Sequence, residues 1–481
     1  MIKLRTFRTA CLIIVACGGI SFATSAQDNT QHNYVLRGTV LTPTNTIPNG
    51  TVSVSGNKIA AVEPAGSLNP KIKVIETGGI ILPGLIDLHD HLSWNAFPRW
   101  KPNSEFANRY DWQARTAYLT TLSIPHQELI DAGLTCDLGR YAEIKAIVGG
   151  ATSVVGTTAD PCLKGLARNL DWYSGLYQKG VLNREKLAYQ VFPLELPEND
   201  PTNPNPFGDA SRVRAALANG TLKAFLIHLA EGNPNDAPSE REFHMLKGRG
   251  FLRPGVVVIH GVALSEADLR EMKDHGVGFV WSPRSNIELY GATANVAFVK
   301  QLGMEMAIAP DWSPTGSDGM LEELQYASIW SYKTKANDQL FSSSELVQMA
   351  TSNAADLAGL KGSLGALIPG SYADILVIKP DGGPHRPSAD PSEAVLNSDP
   401  SDIELVVIGG IPTYGDPALM AQLLPGQKLE KVVVCGVEKD LYFGTDVGQG
   451  VTPRSWHDTE AALTLALGER GISLAPLVEC N

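Results

Sequence analysis

The periodicity of hydrophobic and polar positions changes twice along the chain. Between residues 34 and 84, short apolar stretches alternate with turn signals, as in YVLRGTVLTP, GTVSVSGNKIAAVEP and KIKVIETGGIILPG, which is typical of antiparallel strands. From Gly84 to about Gly359, apolar runs of strand length are separated by segments with helical periodicity. Strand-like patterns return at SYADILVIKP and IELVVIGGIPTYG. The middle section therefore predicts parallel strands joined by crossover helices.

The length of this middle section favours one parallel architecture. His89 and Asp311 are 222 residues apart, which over eight strand-helix units gives about 28 residues per unit and suits a (β/α)8 barrel. We expect an α/β fold, a (β/α)8 TIM barrel with a composite β-sandwich domain built from both chain ends. The predicted units are a signal peptide at 1–26, sandwich parts at 27–84 and 360–414, the barrel at 85–359 and a C-terminal extension at 415–481. In the extension, KVVVCGVEKDLYFG predicts strands and HDTEAALTLALGERG predicts an amphipathic helix.

The first 26 residues have the pattern of an export leader. Basic residues precede an apolar run that ends near Ile20, and small residues follow up to Ala26. The run is too short for a permanent membrane span, so we expect an exported chain, periplasmic or secreted. The stretch around Cys17 also resembles the lipobox of bacterial lipoproteins. Two processing routes therefore stay open, cleavage after Ala26 or acylation of Cys17 with membrane anchoring.

Four cysteines lie beyond the leader: Cys136, Cys162, Cys435 and Cys480. An even count in an oxidising compartment permits two disulfides, and proximity in sequence favours pairing the first with the second and the third with the fourth. Four separate buried thiols are an equal alternative. The spacing of these cysteines does not match a cysteine-based zinc site.

Composition and charge narrow the class of partner. Lys plus Arg number 39 against 51 Asp plus Glu, a net charge of -12, which leaves no basic surface for nucleic acid or anionic membrane. Hydrophobic residues at 43% and charged residues at 19% exclude disorder and coiled coil. We expect a small-molecule substrate and no transmembrane segment once the leader is removed. A homo-oligomer is compatible with the sequence.

The strongest chemical signal is a pair of histidines where the barrel opens. In GLIDLHDHLSW, His89 and His91 are two residues apart at a strand end, so both imidazoles can face one metal ion. Two surface histidines at a strand end would give the same pattern. However, His228 follows KAFLI and His260 follows GVVVI, and the carboxyl ends of barrel strands form the active face of this fold.

A carboxylate ends a fourth apolar run. Asp311 follows MEMAIAP, where a buried strand end would not tolerate an unpaired carboxylate. A helix N-cap just before Trp312 is the alternative explanation. Four polar strand ends in one predicted barrel favour a shared site over separate structural roles.

These motifs resemble the amidohydrolase superfamily from about residue 34 to residue 412. The resemblance is carried by LPGLIDLHDH at 82–91, HLAEG at 228–232, IHG at 259–261, SPRSNIELYG at 282–291, APDWSPTGS at 309–317 and GSYADILVI at 370–378. The HLAEG stretch is similar to the His-x-x-Glu of the chlorohydrolase and aminohydrolase branch. That branch includes cytosine, guanine and adenosyl-type deaminases and triazine hydrolases.

The resemblance implies a metal centre with assigned roles. The implied ligands of one divalent ion are His89, His91, His228 and Asp311. Three imidazoles and a carboxylate leave a position for water, as in a hydrolytic zinc site, although Fe or Mn would accept the same ligand types. The ion would lower the pKa of a water molecule toward about 7. Asp311 and His260 would take its proton and orient it, and Glu231 would deliver a proton to a ring nitrogen of the substrate.

Two departures from the family pattern concern the metal. Two-metal members commonly bridge their ions with a carboxylated Lys or a Glu from a middle strand, and KLAYQVFPLELP offers only Glu195. A binuclear site with His228 and His260 on a second ion therefore stays open. Relatives commonly have Gly-Thr-Asp where this chain has Ala-Pro-Asp at 309–311. Because Pro310 lacks a backbone donor, the hydrogen bonds that support Asp311 can differ.

Two further stretches are candidates for substrate contact. The segment 92–115 is rich in aromatic residues, and Trp94 and Trp100 are predicted to stack on a planar substrate. A loop fixed by its own aromatic side chains is the alternative. In SPRSN, Ser285 and Asn286 are predicted to donate hydrogen bonds into the pocket, with a turn or helix cap as the alternative. Arg284 is a weaker candidate for binding an anion.

The expected activity is metal-dependent hydrolysis of a non-peptide carbon-nitrogen bond, first of all deamination of an amino-substituted heterocycle. The alternative is a cyclic-amide or peptide-like amidase, similar to an imidazolonepropionase or a dipeptidase. A non-catalytic binding protein on the same scaffold is a third hypothesis. Binding alone needs no proton carriers, so the presence of Glu231 and His260 disfavours it.

Overall fold

A computed structural model describes residues 33–64, 73–156, 166–171, 187–203, 205–334, 339–381, 387–443 and 454–480. The predicted leader, Cys17 and Cys162 lie outside these residues. The strands are β1 (Asn33–Leu41), β2 (Thr46–Ser55), β3 (Lys58–Pro64), β4 (Val74–Pro83), β5 (Leu85–Asp87), β6 (Ala151–Val154), β7 (Arg168–Asn169), β8 (Leu187–Gln190), β9 (Ala224–Leu229), β10 (Val256–His260), β11 (Gly278–Trp281), β12 (Met306–Ile308), β13 (Ile375–Ile378), β14 (Ile403–Ile408), β15 (Ile411–Gly415), β16 (Glu430–Val434) and β17 (Val437–Leu441).

The helices are α1 (Arg109–Gln113), α2 (Thr116–Tyr118), α3 (Ile124–Asp131), α4 (Thr135–Val148), α5 (Ala210–Asn219), α6 (Ala237–Gly248), α7 (Glu266–Asp274), α8 (Pro283–Tyr290), α9 (Val296–Gln301), α10 (Met320–Thr334), α11 (Ser343–Met349), α12 (Ser352–Leu357), α13 (Pro391–Asn397), α14 (Pro417–Leu423) and α15 (Trp456–Gly468). A π-helical turn at Leu119–Ser123 joins α2 to α3. Short 3₁₀ helices lie at Leu92–Trp94, Pro193–Glu195 and Pro400–Asp402. Crossover helices begin at polar caps: Asp209 caps α5, Asp236 caps α6, and Ser265 with Asp268 forms a capping box on α7.

The strands from β5 to β12 form the parallel barrel that the sequence predicts. The strands β5, β6 and β7 pair in parallel, and so do β8 to β12 in chain order. The last strand meets the first beyond their ends, where the Asp311 N–H donates to the His89 carbonyl at 2.9 Å. The His91 N–H returns a bond to the Asp311 carbonyl at 3.0 Å. The (β/α)8 fold is thereby confirmed, and its seam runs through the predicted metal site.

The composite second domain is a nine-stranded sheet with the order β16-β17-β15-β14-β13-β4-β1-β2-β3. The two ends of the chain meet where β13 pairs antiparallel with β4, Leu376 opposite Leu82. The extension adds β16 and β17 to the same sheet through the pairing of β17 with β15. The sandwich formed from both chain ends is therefore confirmed, while the domain boundaries drawn from the sequence stay predictions.

Successive side chains of a strand point to opposite faces of the sheet, so this sheet contributes residues to two hydrophobic cores. On β13, Ile375 and Val377 belong to the core of the sandwich. Leu376 and Ile378 belong to the core shared with the barrel helices. Inside the barrel, apolar residues such as Ile259 fill the space between the strands. This filled interior leaves the carboxyl ends of the strands as the open face for a site.

Cys435 and Cys480 form a disulfide, which confirms one of the two predicted pairs. It joins the end of the described chain to the turn between β16 and β17. The other predicted pair includes Cys162, which lies outside the described residues. Among the described residues, no helix has both the length and the apolar character needed to cross a membrane.

Candidate metal centre and active site

The four residues predicted as metal ligands converge at the carboxyl ends of the barrel strands. His89 and His91 follow β5, His228 lies in β9, and Asp311 follows β12. The Nε2 atom of His228 lies 3.0 Å from His89 Nε2 and 3.2 Å from His91 Nε2. The Oδ1 atom of Asp311 lies 3.2 Å from His89 Nε2 and 3.4 Å from His91 Nε2. His91 is partly exposed, and the other three are buried.

These distances fit a divalent ion. Donors at about 2.0–2.1 Å from one zinc ion would lie about 2.9–3.4 Å from one another at angles of about 90–110°, and the observed separations fall in this range. Burial lowers the pKa of His89 to about 3, and burial lowers the pKa of His91 to about 4 despite the neighbouring Asp311. Both imidazoles are therefore neutral at pH 7, the state that a metal requires of its ligands. A hydrogen bond of 2.7 Å between His89 Nδ1 and Ser282 keeps Nε2 for the ion.

The backbone adopts a rare conformation at the ends of three of these strands. Ala230, His260 and Asp311 have φ values of 51°, 69° and 75°. The left-handed region is uncommon for residues other than glycine, and such residues cluster at functional sites. Here they follow or end β9, β10 and β12, the strands that bring His228, His260 and Asp311 together.

His260 is placed to accept a proton. Its Nδ1 lies 2.9 Å from Asn286 Oδ1, so Nδ1–H donates to this amide oxygen and Nε2 keeps a lone pair. Burial lowers the pKa of His260 to about 3. The neutral imidazole presents Nε2 at 3.6 Å from the carboxylate of Glu231. These are the properties of a general base within reach of an acid.

Glu231 is placed to act as that acid. Burial raises the pKa of Glu231 to about 8, although the Arg109 guanidinium at 3.8 Å opposes the shift. The Tyr290 hydroxyl donates to Glu231 Oε1 at 2.6 Å and accepts from Trp112 Nε1 at 2.9 Å. Arg109 itself is buried and also contacts Glu242 at 3.4 Å. The carboxyl group is therefore both protonated near neutral pH and held in one orientation.

Ser285 and Asn286 do not contact the cavity in the way the sequence predicted. Both are fully buried at the start of α8. Ser285 donates to Asp311 Oδ2 at 2.5 Å, and Asn286 accepts from His260. Because α8 begins directly after β11, its first turn lies against the site residues and its polar side chains hold them. Arg284, the anion candidate, pairs with Glu322 and Glu479.

A cavity of about 300 Å³ opens beside the metal ligands. Its aromatic wall is formed by Trp94, Trp112, Tyr118, Phe192 and Trp312. Three of the predicted metal ligands, His91, His228 and Asp311, also line the cavity, together with Glu231 and His260. An aromatic, largely apolar wall beside polar groups suits a planar ring.

The two tryptophans predicted as substrate contacts have different positions. Trp94 lines the cavity. Trp100 stacks on Phe106 with ring centroids 5.7 Å apart and lies 6.3 Å from Trp112, so it supports the wall from outside the cavity. Trp312 was not predicted as a contact, although its place directly after Asp311 is a signal that could have identified it.

A second possible group of metal donors overlaps the first. His228, Glu231 and His260 form a second group of donor atoms within 4.8 Å of one another, but this group shares His228 with the first. Glu195, the candidate bridging residue, is exposed on its 3₁₀ helix and belongs to neither group among the described residues.

Sequence comparison identifies relatives of this chain. Residues 208–412 match the profile of the amidohydrolase family. The chain is 24% identical over 385 residues to the 5-methylthioadenosine/S-adenosylhomocysteine deaminase of Desulforudis audaxviator, covering 75% of this chain and 88% of the relative. It is 24% identical over 395 residues to the 5'-deoxyadenosine deaminase of Methanosarcina mazei, covering 76% and 88%.

Solved structures share the fold. A zinc-bound adenosine deaminase from Xanthomonas campestris superimposes with a TM-score of 0.66 at 14% identity, covering 91% of this chain and 98% of that one. The zinc complex of atrazine chlorohydrolase from Arthrobacter aurescens gives 0.60 at 19% identity, covering 79% and 94%. Residues 208–412 therefore carry an amidohydrolase-family domain, about three quarters of the chain is similar in sequence to curated deaminases, and the fold is shared with these solved structures.

Proposed function

We propose that this amidohydrolase is a zinc-dependent deaminase of an amino-substituted heterocycle. The observation that carries the proposal is Glu231, a buried carboxyl group with a pKa raised to about 8 beside the neutral His260 and the metal ligands. Replacing an amino group on a ring by oxygen requires both a base for water and an acid for the ring nitrogen. The names of the deaminase relatives agree with this chemistry.

The metal ligands, His260 and Glu231 have separate roles in the proposed reaction. A divalent ion held by the four ligands would lower the pKa of a water molecule to about 7 and so supply a nucleophile at neutral pH. His260 Nε2 accepts a proton from the attacking water. At the same time the water oxygen forms a bond to the ring carbon that carries the amino group. Glu231 donates its proton to the adjacent ring nitrogen, so negative charge does not accumulate on the ring.

The same two groups complete the reaction. As the bond between the ring carbon and the amino nitrogen breaks, His260 returns its proton to the leaving nitrogen, which departs as ammonia. The remaining hydroxyl proton passes to Glu231 as the carbonyl forms, and both side chains regain their starting states. Asp311 stays oriented by Ser285 throughout, because their hydrogen bond fixes the carboxylate.

A substrate panel tests this proposal. Zinc-loaded protein is incubated with aminated heterocycles and with N-acyl amino acids, and ammonia and free amine are measured separately. We expect the wild type to release ammonia from one or more heterocycles, and the Glu231→Gln variant to release it about 10²–10⁴ times more slowly. Release of amine from N-acyl amino acids without any ammonia from heterocycles would show an amidase instead.

We further propose that the chain is exported, on the basis of the leader pattern in residues 1–26. The Cys435–Cys480 disulfide agrees with an oxidising compartment. N-terminal sequencing and intact mass of the protein from its native host are expected to give a start at Gln27, or a blocked Cys17 with added acyl mass. An intact Met1 in the cytosolic fraction would contradict export.

A further inference from the structure

The C-terminal strap, which we define as residues 472–480, contacts the barrel after α15. The Ala475 N–H donates to the Ala96 carbonyl at 2.9 Å, and the Ala475 carbonyl accepts from the Tyr141 hydroxyl. The Pro476 carbonyl accepts from Lys145 Nζ at 2.6 Å. The disulfide between Cys480 and Cys435 fixes the far end of the strap to the sandwich domain.

Within the strap, Glu479 bridges two arginines from different parts of the barrel. Its Oε1 accepts from Arg99 Nε at 3.0 Å, and its Oε2 accepts from Arg284 Nη2 at 3.1 Å. The side chains of both arginines are largely buried, with exposed fractions of 12% and 14%. In the described part of the chain, Nη1 and Nη2 of Arg99 are buried without a hydrogen-bond partner, and the bond from its Nε goes to Glu479. Glu479 therefore neutralises a guanidinium that would otherwise be buried unpaired.

The two arginines lie on the segments that hold the reactive groups and the cavity wall. Arg284 is the second residue of α8, and the next two residues hold Asp311 and His260. The last residue of the same helix, Tyr290, holds Glu231. Arg99 lies on the loop that brings Trp94 into the cavity wall. One carboxylate thus joins the helix behind the site to the loop beside it.

We infer that Glu479, fixed by the adjacent disulfide, is a positioning residue for the reaction. It fixes the position of α8 relative to the loop that carries Trp94. The reactive groups and the wall of the cavity therefore keep their relative positions. The chemistry that it positions is that of the proposed function. The effect is expected mainly on kcat, because α8 holds the proton carriers and a metal ligand and does not line the cavity.

The test uses the full chain with zinc bound. Glu479→Gln removes the charge at constant size. The matched control is Glu438→Gln on β17, which removes an exposed ion pair with Lys431 of β16. We expect Glu479→Gln to keep its metal and to lose kcat by about tenfold or more, since misplacement of catalytic groups from a distance has effects of that order. Cys480→Ser, which releases the strap but keeps Glu479, should change kcat in the same direction. Glu438→Gln should match the wild type.

Hydrogen exchange measures positioning without any substrate. In Glu479→Gln, amides of α8 and of residues 92–100 should exchange faster than in the wild type, while α6 stays unchanged. Unchanged exchange in both segments, or a lower melting temperature with wild-type kcat per bound metal, would overturn the inference. If the wild type deaminates nothing, that result counts against the proposed function alone, and the exchange measurement still decides the role of Glu479.

Discussion

Glu231→Gln and His260→Asn are each expected to lower kcat by a factor of about 10²–10⁴ while the bound metal is retained, because each removes one proton transfer and no predicted ligand. Glutamine cannot donate a carboxyl proton to the ring nitrogen, and asparagine cannot accept the proton of water. Steady-state kinetics together with elemental analysis measure both quantities. Glu240→Gln and His275→Asn, at exposed positions, are matched controls.

The pH profile separates the two roles. Burial raises the pKa of Glu231 to about 8, so the protonated form that donates is present below this value and is lost as the pH rises through it. We expect kcat/KM of the wild type to fall above about pH 8, and Glu231→Gln to lack this limb. A variant that lost its metal, or one with nearly wild-type turnover, would show that the assigned role is wrong.

Removing the metal should abolish activity altogether. The donor atoms of the three histidines and Asp311 lie within 4.8 Å of one another. Without the ion the water molecule keeps a pKa far above 7, so His260 alone does not yield enough hydroxide at neutral pH. Dialysis against a chelator should therefore remove activity, and one equivalent of zinc per chain should restore it. Elemental analysis of protein purified without chelator should find about one divalent ion per chain.

Two outcomes would change this description of the centre. Two tightly held equivalents would make His260 a ligand of a second ion, together with His228. Full activity after the chelator has removed the metal would exclude metal-assisted hydrolysis. Magnesium added back at the same concentration is the control, because imidazole-rich sites bind it weakly.

The sequence could predict that the four proposed metal ligands lie close together, because a barrel brings residues at the carboxyl ends of its strands to one face. The strand ends at His89, His228 and Asp311 were therefore enough to predict proximity, while the choice of these residues as ligands rested on the resemblance to the amidohydrolase superfamily. The composite sheet was predictable for a similar reason, since strand-like patterns at both chain ends need partners.

The contacts behind the ligands could not be derived in this way. Which side of α8 faces the site depends on how the helix packs, so Ser285 and Asn286 were assigned to the cavity when they hold Asp311 and His260. Trp94 and Trp100 lie on one segment without a regular repeat. The sequence therefore could not show which of the two side chains lines the cavity and which packs behind its wall. The contact of Arg109 with Glu242 joins residues 133 apart in the sequence. No local sequence pattern predicts such a contact.

The seam of the barrel has a consequence for how the protein is assembled. His89 and Asp311, which exchange backbone hydrogen bonds across the seam, are 222 residues apart. The donor set is therefore incomplete until nearly the whole barrel has been synthesised and its last strand has docked on its first. Metal binding is therefore expected late in folding. An ion that binds only the closed barrel stabilises the native state relative to partly folded states.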